Sequence, residues 1–267
     1  MTAEHVAIVT GANHGIGAAV ARRLAARGVG VLLTYLRLDD APDPGVPDAY
    51  RRSRAAGGTS VVEEIEAAGG LAVAVEADLS DPGVPTTLFD AAERELGPVD
   101  ILVNNATGWV QDTFTPAEQD AFGRALRPVT PQSFAQQFAV DAQAPALLIA
   151  EFARRHVERG ASWGRIVGLT SGGTRGFPSE VSYGAAKAAQ ENYTMSASVE
   201  LADYGVTANM VHPPVTDTGW VTDDVREAVR ASDELVNVAT PDQVAEVIDF
   251  LLSDAGGLVT GNILHLR

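Results

Sequence analysis

The sequence predicts an α/β protein, a single domain built on a parallel sheet with helices on both faces. Three observations predict it. Short Val/Ile/Leu/Ala runs alternate with segments whose apolar residues recur at helical spacing. A glycine-rich turn joins the first such run to the first such helix. No linker or short-period repeat divides the 267 residues. Strand, helix, strand repeated in this way closes as a parallel sheet covered on both faces.

Taken in order, "HVAIVTG" (5–11) reads as a buried strand, and "GIGAAVARRLAARG" (15–28) as a helix ending in glycine. "VGVLLTY" is a second strand, "TSVVEEIEAAGG" a second helix and "LAVAVEADLS" a third strand. A helix at 86–97 leads to a fourth strand at 99–106. One long helix is expected from about Pro131 to Glu158, then a fifth strand at 164–171. A helix beginning near Ser182, a strand at 205–213, a helix at 240–254 and the run "GNILHL" complete the pattern. Three segments break the rhythm. Residues 36–58 read as an inserted loop rich in proline, glycine and charge. Residues 107–130 and 213–239 are long connections, the latter with a short helix around 222–232. All three follow strands, so they are expected at the carboxyl edge of the sheet, where open α/β sheets bind ligands.

Composition narrows the function. A formal net charge of −16 argues against a nucleic-acid or anionic-membrane surface, because either needs a basic face. The absence of cysteine removes disulfides and thiolate chemistry. The N-terminus has no basic region followed by an apolar stretch, and no apolar run reaches membrane-spanning length. A soluble, cytoplasmic protein is expected. His5, His14, His156, His212 and His265 show no metal-binding spacing. Trp109, Phe114, Phe122, Phe177 and Trp220 fall in the ligand-edge loops and suggest an apolar substrate pocket.

"TGANHGIG" sets Gly11, Gly15 and Gly17 between a buried strand and a helix whose first amides can bind a pyrophosphate. Together with "NNA" at 104–106 and "YGAAK" at 183–187, this turn resembles the marks of the classical short-chain dehydrogenase/reductase family. The resemblance runs along essentially the whole chain, and its nearest type is the 3-oxoacyl-carrier-protein reductase. It implies a Rossmann-type, doubly wound, seven-stranded parallel sheet. It also implies hydride transfer between a nicotinamide cofactor and a carbonyl or alcohol carbon of a small molecule, in a homo-oligomer, tetramer or dimer. Gly11, Asn13, His14, Gly15, Ile16 and Gly17 then belong to the cofactor turn. Asp78 and Leu79 meet the adenine, Asn105 and Ala106 pass under the ribose, and Pro213, Val215, Thr216 and Thr218 hold the nicotinamide carboxamide. Pro214 stands where the family usually has glycine.

For the choice of cofactor, the end of the second strand offers Tyr35, with Arg37 two residues on. No carboxylate there opposes a 2′-phosphate, and a guanidinium can fork onto one. NADP(H) is expected, with NAD(H) the alternative. His14 stands where NADP-dependent relatives often carry arginine. "RRSR" (51–54) reads as a solvated patch.

Lys187 is the one lysine among 19 basic residues, and it lies four residues after Tyr183, on the same helix face. A free phenol titrates near 10, and lowering that by about two to three units needs roughly 3–4 kcal/mol. A neighbouring ammonium can supply it. Lysine is a compact point charge where arginine is a planar fork, which explains one lysine in an arginine-rich chain. The resemblance then makes Tyr183 the general acid/base and Lys187 the group that lowers its pKa and grips the nicotinamide ribose. It asks for a serine about a dozen residues earlier, which Ser171 provides, with Thr170 one residue further away as the fallback. Asp141 stands where many relatives have an asparagine behind the lysine. An ionised Asp141 opposes the lysine by at most about 3 kcal/mol at ~6 Å. Arg124, Arg127 and Arg175 are candidates for a basic patch facing an acidic carrier protein. The alternative from another class is a dinucleotide-binding redox sensor, or inactive subunit, with little catalysis.

Overall fold

A computed structural model of the chain describes residues 3–172, 176–233 and 235–267. Strand β1 (Val6–Thr10) enters helix α1 (Gly15–Ala26) and returns through β2 (Gly30–Tyr35). The 36–58 segment, expected as a loop, contains helix α2 (Asp48–Ala55). Its ends carry the reason: Pro47 precedes it, Asp48 occupies the first turn and Arg52 and Arg54 the last, each complementing the helix dipole. Helix α3 (Thr59–Ala67), β3 (Ala72–Glu76), α4 (Val84–Glu95) and β4 (Val99–Asn104) follow. The next connection carries a two-residue pair, β5 (Asp112–Thr113) with β6 (Arg127–Pro128).

The long helix expected over 131–158 is interrupted. Helix α5 (Pro131–Phe138) passes through a π-turn at Ala139–Gln143 into α6 (Ala144–Glu158). Pro145 has no N–H, and its ring opposes the carbonyl four residues back, that of Asp141, so the ladder widens there. Such π-turns recur at functional sites. Strand β7 (Gly164–Leu169), helix α7 (Val181–Glu200), β8 (Val206–His212), α8 (Asp223–Ala231), α9 (Pro241–Leu251) and β9 (Ile263–His265) complete the order.

The main sheet is seven-stranded and parallel, in the order β3-β2-β1-β4-β7-β8-β9, as the resemblance implied. One apolar layer packs Val20 and Leu24 of α1, Ile65 of α3 and Ile248 of α9 against the strands. The other packs Leu88 and Phe89 of α4, Leu148 and Phe152 of α6 and Ala197 of α7. Strands buried on both faces read as continuous apolar runs, which is why they were legible. The strand order reverses between β1 and β4, and a crevice opens at the carboxyl ends beside that switch point. Among the described residues, no helix is long and apolar enough to cross a membrane.

Candidate active site

The crevice is a cleft of about 1450 Å³. Gly11, Asn13, His14, Gly15 and Ile16 line it from the glycine turn, Tyr35 from β2, and Asp78 and Leu79 from the segment after β3. Asn105, Ala106, Ser171, Tyr183, Lys187, Pro213, Val215, Thr216 and Thr218 line it from the other strand ends and α7. Gly17 serves packing instead. A Cβ there meets the Gly11 carbonyl oxygen at 2.4 Å and Asn105 Nδ2 at 2.6 Å. Asn105 Nδ2 donates to the carbonyls of Thr10 at 2.8 Å and Gly11 at 2.9 Å, so its side chain staples the turn to β4.

The cleft fits a dinucleotide on features of the chain itself. Gly11 and Gly15 hold left-handed backbone, with φ +63° and +57°, and a Cβ at either meets Ala106 or Thr218 within 3 Å. Gly15 and Ile16, which begin α1, line this space, and the amides of a helix N-terminus can bind an anion. Nδ1 of His14 is buried with no hydrogen-bond partner, and burial, then the nearby Arg54 charge, lower the pKa of that ring.

Arg37 departs from expectation. It does not line the cleft but forks onto Glu76, with Nε–Oε1 3.0 Å and Nη2–Oε2 2.6 Å. Glu76 is the register partner of Tyr35 across β2 and β3, so the guanidinium meets a carboxylate before any ligand. The "RRSR" patch is likewise not wholly solvated, since the Arg54 side chain is 14 % exposed and lines the cleft.

Tyr183 sits in the first turn of α7. That turn is pinned by Asp112, a fully buried carboxylate whose Oδ1 accepts from the Ser182 amide at 2.8 Å. Its Oδ2 accepts from the Ser182 hydroxyl at 2.5 Å and the Ser133 hydroxyl at 2.9 Å. A carboxylate at a helix N-terminus satisfies free amides and complements the dipole. One turn on, the buried Lys187 ammonium lies 2.9 Å from Asp141 Oδ1 and 3.2 Å from Gln190 Oε1, with its charge 5.6 Å from the Tyr183 ring centre. Asp141, fully buried in the π-turn, accepts through Oδ2 from the Gly108 amide at 2.7 Å and Gln137 Nε2 at 2.5 Å. The Thr107 hydroxyl adds a third contact to that oxygen at 3.2 Å.

This geometry corrects the expected electrostatics. Burial, then the Asp141 carboxylate, then Glu180 push the Tyr183 phenol above its ordinary range, and the Ser171 hydroxyl beside it pulls the other way. The Lys187 ammonium is paired with Asp141 at 2.9 Å and so does not act on the phenol alone. Thr170 also lines the cleft, but its hydroxyl donates to Glu191 Oε1 at 2.5 Å, and Ser171 is the hydroxyl beside Tyr183.

Arg124 is no surface residue. Its side chain is 13 % exposed, bonds Asp120 at 2.6 Å and Glu180 at 3.2 Å, and lies against the rings of Trp109, Phe122 and Trp220. Arg127 is exposed, and Arg175 lies outside the described residues. Phe114 is 81 % exposed and takes no part in the cleft, whereas Trp109, Phe122, Phe177 and Trp220 line it. Sequence reasoning missed Tyr50, Arg54, Asp112, Glu180, Gln137 and Gln190. Tyr50, Arg54 and Glu180 line the cleft from distant segments that no local motif marks, whereas Gln190 and Gln137 stand three and four residues from Lys187 and Asp141, a helical spacing that could have found them.

The family model described as enoyl-(acyl carrier protein) reductase matches residues 49–266. An uncharacterized oxidoreductase of Bacillus subtilis, YjdA, is 32% identical over 98% of this chain and 95% of its own length. The cis-4-hydroxycyclohexanecarboxylate dehydrogenase of Sinomonas cyclohexanicum is 35% identical over 98% of this chain and 94% of its own. The crystal structure of a 3-oxoacyl (acyl-carrier-protein) reductase from Agrobacterium tumefaciens, with NADP bound, superimposes with a TM-score of 0.79. It shares 30% identity and covers 99% of this chain and 93% of that one. With glycine turn, strand order and the Tyr183–Lys187 pair in place, the chain belongs to the short-chain dehydrogenase/reductase family of oxidoreductases.

Proposed function

We propose that this protein is an NADP(H)-dependent carbonyl reductase acting on a small, uncharged, largely apolar ketone. The observation that carries the reading is that Ser171, Tyr183 and Lys187 line the same cleft as the glycine turn. The bound nicotinamide supplies hydride. Ser171 holds the substrate oxygen, and Tyr183 Oη gives it a proton as the carbonyl is reduced. In the reverse direction the same oxygen would act as the base that alcohol oxidation needs. Lys187, positioned by Asp141 and Gln190, faces the phenolate left behind and is within the cleft to bond the ribose. Backbone amides of the turn and residues of the 213–218 segment would hold the rest of the dinucleotide.

Support for NADP(H) comes from the NADP-bound relative and from the absence of a free carboxylate at Tyr35, since Glu76 is neutralised by Arg37. The neutralised Arg124 and the aromatic walls support an uncharged substrate. Exposed Phe134, Tyr193 and Val199 on α5 and α7 support a homo-oligomer, which light scattering will read as a mass above that of the chain. The central experiment is Tyr183→Phe. Turnover of a ketone panel, followed by loss of NADPH absorbance, should fall about 10²–10⁴-fold while NADPH binding persists. Wild-type turnover in that variant defeats the assignment, and NADPH binding without turnover by the wild type returns the redox-sensor reading.

A further inference from the structure

The insertion between β2 and α3 does not hang in solvent. Nδ2 of Asn13, in the glycine turn, donates to the carbonyls of Ala56 at 2.8 Å and Ser53 at 3.3 Å, tying down the end of α2. Asp43 accepts from the amide of Ala125 at 3.0 Å, and Gly45 lies so close to Gly123 and Arg124 that a Cβ there meets the Arg124 amide at 2.5 Å. Tyr50 lies against Gly219, where a Cβ would be 3.7 Å from its Cα. The insert is thus tethered to the glycine turn and to both other ligand-edge loops, and α2 crosses the cleft as a strap.

The face that α2 turns to the cleft carries a phenol and a guanidinium. Tyr50 and Arg54 are four apart, hence on one face of the helix, and both line the cleft. Tyr50 is half-buried, and burial is first among the causes that raise the pKa of its phenol. Arg54 has Asp40 as its ion-pair partner, at 3.1 Å, and Asp40 is 39 % exposed. His14, whose Nδ1 is unpartnered, has its ring centre 5.8 Å from that of Tyr50. A phenol, a guanidinium and an imidazole therefore meet above the amides that begin α1. Of the other cations that line the cleft, Lys187 is committed to Asp141 and Arg124 to Asp120 and Glu180, which leaves Arg54 and the exposed Arg267.

We propose that the inserted helix is a second phosphate-binding face, with Arg54 and Tyr50 gripping a phosphate of the bound nucleotide from the side opposite the glycine turn. Arg54 takes the role that the sequence suggested for Arg37, exchanging Asp40 for a dianion or diester. The inference rests on the cofactor reading above but concerns binding alone, so its test does not depend on turnover.

The test is fluorescence titration of the intact protein with NADPH and with NADH, for wild type, Arg54→Gln and Tyr50→Phe, with thermal unfolding confirming that each variant is folded. Arg54→Gln should weaken NADPH about tenfold or more and Tyr50→Phe about threefold, as expected for a charge-assisted and a neutral hydrogen bond. Equal weakening of NADH assigns the grip to the pyrophosphate. Weakening of NADPH alone assigns it to the 2′-phosphate. Either carries the proposal. Variants that bind both nucleotides within about twofold of wild type overturn it, whereas a wild type that binds neither nucleotide defeats the cofactor reading instead.

Discussion

The buried pair of Lys187 and Asp141 decides how the reacting phenol behaves. Where an asparagine holds this place the lysine charge is free to act on the tyrosine; here a carboxylate at 2.9 Å offsets it. Asp141→Asn removes the second-largest influence raising the Tyr183 pKa, so the pH–rate profile should move to lower pH. Superimposable profiles would rule out the electrostatic role. The same change leaves a buried ammonium with Gln190 as its remaining partner, and should cost on the order of 3–5 kcal/mol in urea unfolding. Asp112 acts on Tyr183 from the other side, through the helix rather than through charge. Asp112→Ala releases two hydroxyls and an amide, and should lower stability by about 2–3 kcal/mol. Because it loosens the first turn of α7, it should lower kcat more than it raises KM for NADPH; an unchanged kcat would show that α7 holds its position alone.

At the scale of elements, contact distances explain why the glycine turn needs its glycines. Gly17→Ala forces a Cβ into the backbone of Gly11 and Ala12 and onto the Asn105 side-chain amide, which two hydrogen bonds hold in place. The expected cost is about 1–3 kcal/mol, read as a lower urea midpoint, together with weaker NADPH binding as the turn shifts. The insert shows the opposite dependence. Its helix is eight residues long with none fully buried, too short and too polar to stand alone. Its tethers to Asn13, Ala125 and Gly123 hold it across the cleft, and proteolytic cleavage in 36–58 should slow when NADPH is added.

For the whole molecule, charge sets the pH limits. The Glu151 carboxyl is held low first by its hydrogen bond to Arg154. Asp120, though burial alone would raise it, is held low by bonds from Arg124 and Phe122. Groups lowered on folding contribute stability above the ordinary carboxylate range and lose it as pH falls through their folded values. Thermal midpoints should therefore drop below about pH 4. Tyr183 and Tyr50 are raised on folding, so their contribution is intact below the ordinary phenol value and is lost as pH climbs past about 10. A midpoint flat from pH 3 to 7 would contradict the acid limb. NADPH at a hundred times its Kd should add about 2.7 kcal/mol to folding.

Much of this was legible along the chain. The β1 run VAIVT and the α1 run from Gly15 declare a buried strand and a packed helix, because hydrophobic periodicity and glycine geometry are local properties. Tyr183 and Lys187 share a helix face by spacing alone, so their partnership was readable too. Local pattern is silent on which charges end up beside each other. Arg37 meets Glu76 only because β2 pairs with β3, and Arg54 reaches the cleft only because an insert folds back over the turn. Lys187 is neutralised only because Pro145 and the π-turn bring Asp141 against it. Electrostatic energies depend on distances of a few ångströms between residues far apart in the chain, and those distances exist only once the domain has closed.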